Sequence, residues 1–130
     1  MNPFRHMSSQ LPLLLLSLLL CTSSAAADVQ PLPAEWPADA APPDDARIVM
    51  SSMQQWTQSI AFEVNAPEER AVANITEQLE SSGWDSEYVG RVGNRQSLRF
   101  TNLDGRKITV LAHATLEGST AVLFTIYQPA

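Results

Sequence analysis

"NAPEERAVANITEQLESSGW", residues 65–84, is the one stretch of this chain with a strong helical period. Val72, Ile75 and Leu79 recur at i, i+3 and i+7 and, widened by Ala71, make a single apolar stripe. Asn65-Ala66-Pro67-Glu68 has the form of a capping box, with a proline in the first turn, where its missing N–H costs nothing. Glu68 and Glu69 stand where the helix dipole favours anions. The helix is expected to stop at Ser82. Gly83 can adopt the left-handed conformation, and Trp84 after it packs back onto Leu79.

Such a helix must bury its stripe, and the flanking sequence supplies strands. Before it, "ARIVMSS" (46–52) reads as a short strand and "TQSIAFEVN" (57–65) as a clearer one, with Ile60, Phe62 and Val64 on one face and Ala61 and Glu63 on the other. After it come "SEYVGRV", "QSLRFTN", "RKITVLAHAT" and "TAVLFTIYQ", divided by "GN" at 93–94, "LDG" at 103–105 and "EGS" at 117–119. Connections this short permit antiparallel hairpins and forbid parallel crossovers. The expectation is an α+β domain of order ββαββββ, with a single amphipathic helix packed on a mainly antiparallel sheet. Leu98, Phe100, Ile108, Val110, Val122, Phe124 and Ile126 should point at the helix.

Toward the N-terminus, Arg5 and His6 precede an apolar run from Leu11 to Leu20, and Ala25-Ala26-Ala27 follows. A charged start, a short apolar core and an A-x-A site make a secretory signal peptide. Residues 1–27 are expected to be removed after Ala27, giving a periplasmic or secreted chain that starts at Asp28. Leu20 is too large for the position before an acylated cysteine, so a lipoprotein at Cys21 is the less favoured alternative. The core is about half the roughly 20 residues a permanent span needs. Cleavage would remove the only cysteine and with it disulfides, thiol chemistry and cysteine metal ligands. A small exported domain without disulfides suits a bacterial envelope.

Residues 28–45 hold five acids, no base and many Pro and Ala, and read as an extended, disordered tether. Trp36 in it either rests on the domain or anchors a partner. Residues 46–130 form one small domain. Without Arg5 the chain carries 7 basic and 14 acidic residues, a net −7, which is no match for nucleic acid or anionic lipid.

The chain resembles a loose set of small exported bacterial domains, many of them lipoproteins of unknown function. The pieces that carry the resemblance are Pro43-Asp44-Asp45-Ala46-Arg47, Pro67-Glu68-Glu69 and Leu79-Glu80-Ser81-Ser82-Gly83-Trp84. Asn74-Ile75 departs from the pattern, which tends to place aromatic residues there. The resemblance implies the fold and no activity.

No catalytic set emerges from the residues. After cleavage His113 is the sole histidine, and neither a triad nor a zinc site can be built around it. Glu77 and Glu80 share a helix face, but one opposite the apolar stripe, where water solvates both and general-acid work has no burial to draw on. "NLDG" at 102–105 is too short for a calcium loop and reads as a hairpin turn. No cofactor and no metal are expected, and the chain is not read as an enzyme.

The suggestive feature is the far side of the sheet. Alternation points Thr109, Leu111, His113 and Thr115 outward, with Arg99 and Thr101 on one neighbour and Leu123, Thr125 and Tyr127 on the other. Val89 and Arg91 should join them. One helix cannot cover both faces, and mixed patches with Tyr and Arg suit interaction surfaces. The alternative is that the tether folds over this face. Residues 66–85 carry five acids and one base, residues 86–130 three acids and five bases, so the sheet side is the basic one. The leading expectation is therefore a non-catalytic interaction module, of inhibitor, immunity or envelope-assembly type. It would bind a protein partner, or a second copy, through Arg99, Leu111, His113, Leu123 and Tyr127. The alternative is a small-ligand carrier with a pocket between helix and sheet lined by Trp84, Tyr88 and Phe100.

Overall fold

The computed structural model describes residues 29–128; the expected signal peptide, the expected cleavage site after Ala27 and Cys21 lie outside them. The domain is α+β, as expected, in the order ββαββββ. Strands β1 (Arg47–Met53) and β2 (Thr57–Val64) precede helix α1 (Glu68–Ser81). Strands β3 (Asp85–Val92), β4 (Arg95–Thr101), β5 (Lys107–Ala114) and β6 (Thr120–Tyr127) follow it. All neighbours are antiparallel, and the spatial order is β1-β2-β6-β5-β4-β3. The first hairpin therefore joins the last strand of the meander. The helix carries the chain across the sheet to β3 at the opposite edge.

Period-2 patterning sets the core. Ile60, Phe62 and Val64 of β2, Leu98 and Phe100 of β4, Ile108 and Val110 of β5, and Val122, Phe124 and Ile126 of β6 are buried on the helix side. Phe62 and Phe124 meet edge to face with centroids 5.0 Å apart. Ala71, Ile75 and Leu79 of the helix close over them, with Val72 partly buried alongside. The helix stops as its sequence requires. Gly83 has φ 98°, its N–H donates to the Glu80 carbonyl, and the Trp84 N–H donates to that of Leu79. The capping box does not form. Pro67 is the cap residue and no side chain caps the helix start. The Glu68 carboxylate instead accepts from Arg91 and Gln96 on the sheet, and the Ala66 carbonyl accepts from the Thr120 hydroxyl at 2.8 Å.

Six strands at about 4.8 Å spacing are wider than one helix of about 10 Å diameter can cover. Helix α1 contacts β3 and β5. Residues 29–45 add to the cover on the helix side and form a packed strap rather than an unpacked tether. Gln30 bridges to Ile48 at the β1 edge, and Ala38–Ala40 makes a short 3-10 turn. Trp36 is 5% exposed, and Ala40 is fully buried. The strap's carbonyls accept from side chains of the domain: Asp39 from the Trp84 indole at 2.7 Å, and Ala41 and Pro42 from the Gln78 amide at 2.9 and 3.1 Å. Arg106 pairs with Asp39 and stacks on the Trp84 ring, 5.1 Å from its centre. Composition concealed this, because the strap's partners are polar atoms contributed from distant positions.

Candidate functional site

Because the strap lies on the helix side, the other face of the sheet keeps its own side chains toward the outside. Strand register arranges them in rows that run across the strands. The central row is Leu111, Leu123, Ala61 and Met50, on β5, β6, β2 and β1. On one side runs His113, Ala121, Glu63 and Arg47. On the other runs Arg99, Thr109, Thr125, Ser59 and Ser52, with the Ser59 and Thr125 hydroxyls 3.2 Å apart. Beyond that lie Lys107, Tyr127 and Thr57. The face thus has an apolar stripe between a charged row and a hydroxyl row.

The stripe is not flat. Ala61 and Ala121 are diagonal neighbours with short side chains, and a depression of about 220 Å³ opens over them. Met50, Leu111 and Leu123 wall it, and Arg95 and His113 stand at its rim. Two ion pairs flank it: Arg47 with Glu63, and Arg99 with Glu87 at 3.2 Å. Both are well exposed, so each contributes at most about 1 kcal/mol to stability and mainly fixes side-chain direction.

All five residues expected to form the surface lie on this face. Leu111 and Leu123 are direct cross-strand partners, His113 is one row away, Arg99 is committed to Glu87, and Tyr127 is two rows from the leucines. Arg91 does not belong there. A bulge between Tyr88 and Gly90 shifts the register of β3, and Arg91 turns to the helix side to meet Glu68. A second bulge, between Ile48 and Met50, does the reverse for β1 and brings Met50 onto the outer face. The sequence reading missed Met50, Arg95 and Ala121 and left Ala61 unused, because these positions matter only once β2 is known to lie beside β6.

The pocket proposed between helix and sheet has no counterpart among the clefts described here. Trp84 and Phe100 are packed into the core, Tyr88 is exposed, and neither the depression over Ala61 nor the clefts beside Arg47 and Glu63 are lined by a helix residue. Glu77 and Glu80 are exposed, the latter accepting from the Ser86 hydroxyl at 2.6 Å. Among the described residues no three His, Cys, Asp or Glu side chains gather as a metal site, and no helix is long and apolar enough to cross a membrane. Family models, curated proteins and solved structures yield no match to this chain.

Proposed function

We propose that this chain is an exported, non-catalytic interaction module of inhibitor, immunity or envelope-assembly type, and that it docks a partner protein on the outer face of its sheet. One observation carries the reading. The strap, the natural candidate to cover that face, is spent on the helix side with Trp36 buried, while an apolar row of four residues faces outward between polar rows. Interfaces of this kind place a small apolar core inside a polar rim.

Leu111 is the residue to test. It is half-buried at the β5 end of the stripe, directly beside Leu123, and takes no part in the core cluster. Leu111→Glu should abolish recovery of the partner from cell envelopes and shift the melting temperature by only a few degrees, since surface substitutions rarely exceed about 0.5 kcal/mol. Undiminished recovery would remove this face from consideration.

A further inference from the structure

We infer that the depression over Ala61 and Ala121 is a socket for one apolar side chain of an acidic partner segment, with Arg95 and His113 receiving a carboxylate beside it. The inference rests on the docking reading above and adds the partner's chemistry.

Size comes first. Small-molecule sites usually span about 300–1,000 Å³. At about 220 Å³ this one suits a single large side chain, the form in which interfaces concentrate their binding energy. Lining comes second. The alanine floor and the Met50, Leu111 and Leu123 walls offer no polar partner to an entering group, so that group is apolar. Sign comes third. No carboxylate lines the socket, and its rim carries Arg95 and His113. Among the described residues Arg95 makes no ion pair, whereas Glu63 in the adjoining row is held by Arg47. A basic partner would meet Arg95 uncompensated; an acidic one gives it a counter-ion.

The same facts weigh against other occupants. A second copy would have to bring an acidic segment to the socket, and its own acid-rich strap is already packed on the helix side. A phosphate polymer requires a run of free cations rather than one guanidinium beside an apolar stripe.

The test uses the protein as the cell delivers it, isotope-labelled, and short end-blocked peptides. One carries a central Leu among glutamates, a second has lysines in place of the glutamates, and a third has Ser in place of the Leu. Dodecanoate is the fourth probe. The Glu/Leu peptide should shift the signals of Ala61, Leu111, Leu123 and Arg95 saturably. The Lys and Ser peptides should bind at least about tenfold more weakly, a difference of about 1.4 kcal/mol. Ala61→Leu, which fills the socket, and Arg95→Glu, which inverts its rim, should each weaken the Glu/Leu peptide by a similar factor while leaving the remaining spectrum in place. Equal binding of the Glu and Lys peptides, shifts elsewhere on the molecule, or saturation by dodecanoate with none by the peptide overturns the inference. If Leu111→Glu abolishes partner recovery but Ala61→Leu and Arg95→Glu both retain it, the docking reading stands and the socket falls.

Discussion

Trp36 and Trp56 carry the same side chain to opposite ends. Trp36, at 5% exposed, is a core residue contributed from outside the sheet and helix; its indole N–H donates to the Ala40 carbonyl at 2.9 Å. Trp56, at 50% exposed, sits beyond the end of β1 in the β1–β2 turn. Trp36→Ala should therefore cost about 3–5 kcal/mol in urea or thermal unfolding, while Trp56→Ala should stay within about 1 kcal/mol. Equal losses would mean that the strap is not part of the core. Gly83 gives a second contrast. At φ 98° it holds the helix stop, and Gly83→Ala should cost about 1 kcal/mol through backbone strain alone, because the added methyl meets no atom within 4 Å.

Elements were legible where a local pattern fixed them. The helix stripe and its glycine stop stood in the sequence, as did the alternation of β2 and of β4 to β6, because each depends on residues a few positions apart. The strap, the two bulges and the insertion of β2 beside β6 were not legible. They depend on partners far along the chain, as in Gln78 with the carbonyls of Ala41 and Pro42, or Arg106 with Asp39. The candidate surface shared this split: its leucines followed from alternation, while its alanine floor followed from strand order. That order has a dynamic consequence. β6 and β5 are flanked on both sides, whereas β3 is an edge strand, exposed along nearly its whole length and interrupted by a bulge. Amide exchange should be slowest at Val110, Val122 and Phe124 and orders of magnitude faster on the outer edge of β3, since edge strands open locally at lower cost. Uniform protection would contradict the order.

At the scale of the molecule, one six-stranded sheet carries helix and strap on one side, while on the other the described part of the strap reaches only the β1 end, where Val29 lines a cleft with Arg47, Ala61 and Ala121. Helix and strap share the work of closing the inner face, and the outer face is left with its apolar stripe, its hydroxyl row and its basic rim. The two sides also differ in charge, the helix and strap being acidic. A partner drawn to the rim by its own acids should associate more slowly as salt rises from about 0.05 to 0.5 M, because the Debye length then falls below the distance across the socket. The most direct measurement is photo-crosslinking in living cells from two positions, Leu123 on the outer face and Ala73 on the exposed side of the helix. The account predicts one discrete protein adduct from Leu123 and none from Ala73; an adduct from Ala73 alone, or none from either, would contradict it.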